Sequence, residues 1–204
     1  MVPNTLIELM TKAGIRQDVV AGAMQLDAQM QQWRRRMARR ELGRKAIAAL
    51  GLDIEMTELD TLAAIAPLPG EDGLPPEITV GTVAERLNID PSRASRLVAE
   101  VVEAGYAMRV ASQTDARKTL VVLTDAGQAI IDGVHGYKFL LMGSFLDTWS
   151  PAEVATFVDL FNRFSAWTEQ SADHEMAHAE EIAALARRAT ATPPAAAAIT
   201  AGRA

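Results

Sequence analysis

The sequence predicts a mainly α fold with a small β-wing, and three observations carry that expectation. Apolar residues recur at three- and four-residue spacing along much of the chain, as in Val19, Ala23, Leu26, Met30, Trp33 and Met37, which is the period of a helix with one buried stripe. Between residues 79 and 104 the helical segments become short and are parted by Asn88-Ile89-Asp90-Pro91. After Gly105 the pattern turns extended, with residues 106–111 and 118–123 flanking the polar tip Ser112-Gln113-Thr114-Asp115-Ala116-Arg117. Two strands and a turn make a hairpin.

Taken in order, residues 1–15 hold the apolar pairs Leu6-Ile7 and Leu9-Met10 without a strong cap, and read as an N-terminal helix or arm. From Asp18 to about Leu50 the chain reads as helical throughout. Within that span residues 33–45 carry seven basic residues against the single acid Glu41. Arg34, Arg35 and Arg36 point in different directions around a helix and form no single stripe. They suit salt bridges to the acidic remainder, or contact with an anionic ligand or a phosphate. Thr57 is the expected cap of a helix over residues 58–66, which Pro67-Leu68-Pro69-Gly70 stops. Residues 67–76 read as a loop, and Ile78 as the start of a short strand beside the hairpin.

The segment 79–124 is where the chain is organised. Thr82 to Leu87 make a one-sided helical turn or two, and the residue before Pro91 is pushed out of helical geometry. Asp90 then caps a second helix with Pro91 at its first position, where the missing N–H costs no bond. This helix is expected to run to about Ala104, with Ala94, Leu97, Val98 and Val101 inward and Ser92, Arg93, Ser95 and Arg96 outward. Short hydroxyls and forked guanidiniums suit phosphates and base edges. Arg117, near the hairpin tip with Lys118 beside it, is placed to enter a minor groove, and Asp115 is expected to orient its guanidinium. Helix, turn, helix and hairpin stand in the order of a winged helix-turn-helix.

Thr124 caps the next helix, expected over residues 125–148, with Asp125 favourable in its first turn. Gly127, Gly133, Gly136 and Gly143 weaken this helix or let another approach closely. Ser150-Pro151-Ala152-Glu153 is a clear helix start. Val154, Phe157, Val158, Leu160, Phe161, Phe164 and Trp167 follow, more apolar surface than one thin subunit covers, which favours a partner subunit. Residues 191–204, rich in Ala and Pro, are expected to be disordered.

Composition narrows the function. With 204 residues and 49% hydrophobic content the chain can bury one or two modest cores. It has no cysteine, so no disulfide, thiolate zinc site or thiol redox switch. No apolar run reaches membrane-helix length and the N-terminus lacks a signal-peptide start, so a cytoplasmic protein without membrane partners is expected. A net charge of −6 argues against nonspecific coating of DNA. Of the three segments 1–78, 79–120 and 121–204, only 79–120, with 6 basic against 5 acidic side chains, is not net acidic.

The run Asp115-Ala116-Arg117-Lys118-Thr119-Leu120-Val121-Val122-Leu123-Thr124-Asp125-Ala126-Gly127 resembles the wing signature of the multiple-antibiotic-resistance regulator (MarR) family, in which an Asp-x-Arg wing leads into Leu-Thr-x-x-Gly. Upstream, Gly51-Leu52 and Leu59-Asp60-Thr61-Leu62-Ala63-Ala64-Ile65 are similar to the family's second helix, and the order of elements from about Asp18 to Trp167 fits. The resemblance implies a homodimer in which the helix from Asp18 pairs with the C-terminal helices. It also implies a ligand-responsive repressor on a pseudo-palindromic operator, and a small effector, often an aromatic acid or related anion, held between dimer region and winged helix. Trp33, Arg36 and Met37 would offer stacking and charge to it. The expected division is a winged helix-turn-helix at 57–124 and a helical dimerisation region at 1–56 and 125–190.

His174-Glu175-Met176-Ala177-His178 spells the His-Glu-x-x-His motif of zinc proteases. That chemistry needs a third protein ligand, and the extended pattern would require Gly at Glu181 and His at Ala184. No other enzyme signature is present, so neither catalysis nor a cofactor is expected. A zinc hydrolase is the remote alternative, and a winged helix used for protein assembly without DNA the nearer one.

Overall fold

The computed structural model describes residues 4–66, 77–112, 114–115, 117–168 and 170–191. The loop expected at 67–76 and the tail expected from 191 onward lie outside these, apart from Ala191. The chain divides into two compact units, residues 1–34 with 149–204 and residues 35–148.

The second unit holds the core. Its helices are α3 (Glu41–Leu50), α4 (Met56–Ile65), α5 (Val80–Leu87), α6 (Pro91–Glu103) and α7 (Asp125–Leu146), with a hairpin of β1 (Ala107–Ala111) and β2 (Thr119–Leu123) between α6 and α7. The strands pair antiparallel, from Ala107 opposite Leu123 to Ala111 opposite Thr119. Leu62 and Ile65 of α4, Val83 of α5, Val98 and Val101 of α6 and Val121 of β2 are fully buried together, with Ile130 and Ile131 of α7 in the same cluster. Each such side chain contributes roughly 1.5–3 kcal/mol relative to exposure.

The first unit contains α1 (Asn4–Lys12), most of α2 (Gln17–Ala38), α8 (Pro151–Ser165), a 3-10 turn at Ala166–Thr168, α9 (Ser171–Ala177) and α10 (Ala179–Ala191). Val20 is buried on α2, whereas α8, α9 and α10 bury no residue. On α8 the rings of Phe157 and Phe161 stack at 5.9 Å, and Trp149 meets Phe157 edge-on at 5.5 Å. No described helix is long and apolar enough to cross a membrane.

Local capping chemistry placed several boundaries correctly. Asp90, Thr124 and Ser150 each accept a hydrogen bond from a first-turn N–H of α6, α7 and α8. Two expectations need correction. The helix expected from Asp18 to Leu50 is broken between α2 and α3, where Arg40 adopts a left-handed conformation with φ 51° and sends its guanidinium to the Asp60 carboxylate of α4. Thr57 does not cap α4. Glu55 does, in a reciprocal box with Glu58, and the Thr57 carbonyl accepts from the Thr61 hydroxyl at 2.7 Å.

The glycines of α7 also separate by role. Gly127 lies against the chain turn before β1, where a β-carbon would fall on the Tyr106 carbonyl. Gly133 faces Leu50 of α3, while Gly136 and Gly143 meet nothing within 4 Å. Gly127→Ala is therefore expected to lower unfolding stability by about 2 to 3 kcal/mol, an overpacking cost against rigid backbone. Gly136→Ala should leave it unchanged or raise it by up to about 1 kcal/mol through helix propensity. Urea unfolding of both variants checks the contrast, and equal effects would contradict the assigned contact.

Candidate nucleic-acid interface

The orientation of α6 follows from its apolar face. Ala94, Val98 and Val101 are completely buried, which fixes the helix about its axis and leaves Ser92, Arg93, Ser95 and Arg96 exposed. Leu97 is only half-buried. Asp90 accepts the Arg93 N–H at 2.8 Å, so this arginine's backbone is tied while its side chain is free to reach outward. Glu100 and Glu103 are exposed on the later turns, which confines the cationic part of the helix to its N-terminal half. There the positive end of the helix dipole adds to the guanidiniums.

The helix before it is held by different means. Thr79 caps α5, its hydroxyl accepting from the Thr82 N–H at 3.1 Å while Thr82 returns a bond to the Thr79 N–H at 3.2 Å. Asn88 ends α5 in a left-handed conformation with φ 52°. Arg86, at the edge of the reading head, donates from one Nη1 to the carbonyls of Ala64 and Ala66 at 2.8 and 2.9 Å. It supplies donors to the end of α4, so its part is structural.

The wing is fastened at its base. The Val121 N–H donates to the Ile78 carbonyl at 2.8 Å, a single bridging bond where a short strand was expected. Glu77 Oε1 accepts from the Ser112 hydroxyl and, at 2.8 Å, from the Thr114 hydroxyl. Its other oxygen lies 3.7 Å from Lys118 Nζ. The hydroxyl bonds, Ser112 first, hold the Glu77 carboxyl below its usual range, and Lys118 adds to this. Sequence reading did not find Glu77, because no local spacing links it to residues 35 and 37 positions away.

Arg117 is exposed. Asp115 is not its guanidinium partner, contrary to expectation: its carboxylate accepts the Arg117 backbone N–H at 3.0 Å, and its carbonyl accepts the Lys118 N–H at 2.9 Å. Among the described residues the side chains of Arg93, Arg96 and Arg117 make no ion pair. Arg109 on β1 is a further exposed cation.

A second feature of this unit is a cleft of about 420 Å³ among the end of α2, α3, α4 and α7. Met37, Leu42, Met56, Leu59, Ile131 and Val134 give it apolar walls, and Arg36, Arg40, Lys45, His135 and Lys138 give it a basic lining against Glu41 and Asp60. Arg40 is paired with Asp60. Burial is the larger influence on Asp60 and raises its carboxyl above the usual range, with Arg40 opposing. Arg36 and Met37 thus meet in the cleft, while Trp33, in the other unit, is not among its lining residues.

His174 and His178 do not share one helix. His174 lies in α9, and His178 stands at the break before α10, with φ −119° and ψ 28°. Among the described residues no three acidic or imidazole groups gather as a metal site.

Two short helices, the second with an outward cationic start, and a fastened hairpin define a winged helix-turn-helix. Residues 52–118 match the model of the MarR family. No curated protein matches the chain significantly. Among solved structures, a MarR family protein from Bacillus stearothermophilus is 18% identical with a TM-score of 0.56, covering 72% of this chain and 97% of its own. RV1404 from Mycobacterium tuberculosis is 22% identical with a TM-score of 0.53, over 72% and 93%. FabT of Streptococcus pneumoniae, solved in complex with DNA, is 19% identical with a TM-score of 0.52, over 70% and 97%. At these identities the likeness is one of fold.

The depressed Glu77 carboxyl gives a pH signature. Its folded value lies below the ordinary 4.5, so the stability it contributes is fully present above that pH and is lost as pH falls through the folded value. Melting temperatures of the wild type and Glu77→Gln, compared from about pH 6 down to about pH 3, should converge at the acid end. Parallel curves would show that the bonds to Ser112 and Thr114 carry no such linkage.

Proposed function

We propose that this chain is a ligand-responsive transcription repressor that binds a pseudo-palindromic DNA operator as a homodimer. One observation carries the reading: Arg93 and Arg96 on the recognition helix and Arg117 on the wing all face solvent with no counter-charge among the described residues, although the chain as a whole is at −6. Protein cations left unpaired beside so many carboxylates are available to phosphates and base edges. Residues 57–124 form the reading head, and 1–56 with 125–190 the dimerisation region. Each head places Ser92, Arg93, Ser95 and Arg96 in a major groove and Arg117, flanked by Asp115 and Lys118, in the adjoining minor groove. Two-fold symmetry sets the half-sites about 34 Å apart.

Support for the second copy comes from apolar side chains that each unit leaves uncovered. Phe139 and Leu140 on α7 are more than half exposed, and Leu160 and Phe161 on α8 likewise. The effector is read as a small anion with an apolar body, an aromatic carboxylate in the first instance, seated in the cleft between Met37, Ile131 and the cations Arg36, Lys45 and Lys138. To release DNA it must bind one spacing of the two heads better than the other.

Selection of duplexes from a random pool, followed by gel shift, tests the DNA reading. Arg93→Ala or Arg96→Ala should weaken the selected site by about 1–3 kcal/mol and relax preference at one position if the contact is to a base. Arg117→Ala should lower the salt slope by about one if it meets phosphate. Failure to retain any duplex would leave protein assembly as the role of the winged helix.

A thermal-shift screen of aromatic carboxylates and their thioesters tests the effector. A hit is expected to raise the melting temperature, to release DNA, and to lose both effects in Lys138→Ala. Ligands that stabilise that variant equally would place the site elsewhere.

A further inference from the structure

Glu77 lies outside the recognition helix and outside the hairpin, yet the hydrogen bonds of the wing converge on it. Ser112, which is buried, donates its hydroxyl to Glu77 and accepts the N–H groups of Thr114 and Asp115 at 3.1 and 3.2 Å. Asp115 in turn holds the Arg117 N–H. Ser112 also closes the hairpin, its N–H donating to the Lys118 carbonyl at 3.0 Å. One bonded path therefore runs from Glu77 through Ser112 and Asp115 to the backbone of Arg117. On the other side, Ile78 accepts from Val121 and Thr79 caps α5, so the segment 77–79 joins the start of the helix-turn-helix to the wing.

We propose that Glu77 is a positioning residue for DNA binding: it fixes the wing turn so that Arg117 is presented in register with the recognition helix. The inference rests on the DNA-binding reading above. It runs against simple electrostatics. A carboxylate beside a DNA-facing tip repels phosphate, so charge alone predicts tighter binding when it is removed. Positioning predicts weaker binding, because among the described residues the Arg117 side chain has no ion pair to hold it, and the loosened turn must be ordered on association.

The experiment measures operator affinity and salt slope for Glu77→Ala, Glu77→Gln, Arg117→Ala and the double variant Glu77→Ala/Arg117→Ala, with amide exchange of Thr114 and Asp115 in the free proteins. Glu77→Ala is expected to weaken binding roughly threefold to tenfold, to lower the salt slope by about one, and to speed exchange at both amides. Glu77→Gln, which keeps one acceptor oxygen, should recover most of the affinity. In the Arg117→Ala background Glu77→Ala should add no further loss, since the two act through one contact. A merely structural role would cost the same in both backgrounds.

Equal or tighter binding by Glu77→Ala, or an undiminished loss in the double variant, overturns the positioning role while the wild type still binds. A wild type that retains no duplex sinks the DNA reading instead. Should Glu77→Ala not fold, Thr114→Val removes one of the two hydroxyl donors and carries the same comparison against Arg117→Ala.

Discussion

The reading head depends on one close approach of backbone to backbone. Where α7 begins, Thr124 donates its N–H to the Tyr106 carbonyl at 3.0 Å and its hydroxyl to the Gly105 carbonyl at 2.7 Å, and it caps the helix through the Gly127 N–H. Gly127 lies against the same Tyr106 carbonyl. Gly105 itself takes φ 79°, a conformation that costs glycine little. The end of α6, both roots of the hairpin and the first turn of α7 are thereby one junction. This gives the Leu-Thr-x-x-Gly sequence a physical cause: threonine satisfies two carbonyls and a helix terminus at once, and three residues later only a residue without a β-carbon fits.

Charge is sorted around that junction by what each arginine can reach. Arg86 is drawn inward by the carbonyls at the end of α4, and Arg40 by the carboxylate of Asp60. Their guanidiniums organise the fold and are engaged by partners within it. Arg93 and Arg96 sit on α6, whose inward positions are filled by Ala94, Val98 and Val101, so packing turns these cations outward, and Arg117 stands exposed in the hairpin turn. An anionic chain can thus present a cationic edge. Electrostatic attraction at such an edge is local, since salt screens the remaining carboxylates beyond about 8–10 Å.

What the sequence made legible was set by distance along the chain. Asp90-Pro91, Thr124 and Ser150-Pro151-Ala152-Glu153 announce helix starts because a cap bonds to N–H groups two or three residues away. The inward face of α6 was likewise written in its spacing. Arg40 carried no such sign: a left-handed arginine lacks the glycine or asparagine that usually marks one, and its partner Asp60 is twenty positions on. Thr57 misled because Glu55 and Glu58 form a competing box. Asp115 was given the guanidinium of its near neighbour, whereas a short carboxylate in a turn is better placed to take a backbone N–H. Glu77 was invisible for the reason that hides most long-range polar contacts, since neither periodicity nor motif joins it to Ser112. Of the residues that line the cleft, Arg36 and Met37 were readable from an apolar stripe beside a basic run. Lys45, His135 and Lys138 come from other helices.

The proposed dimer is supported by two separate arguments. A helix of the length of α8 is marginal on its own in water, and most helical stability comes from burying an apolar face. The start of α8 is fixed locally by its Ser150–Glu153 box, and Phe157, Leu160 and Phe161 are half exposed. In the proposed dimer a second copy of the same face would cover them by symmetry. Separately, a single head offers few uncompensated cations, and affinity for DNA grows with the number of phosphates neutralised. Two heads held at a fixed separation make the second contact intramolecular, at a high effective concentration if the spacing matches the groove repeat. The surface that needs a partner for burial is therefore the means by which a weakly cationic edge would acquire useful affinity. Any ligand that altered the separation would act on that multiplicative term and leave each head's own contacts intact.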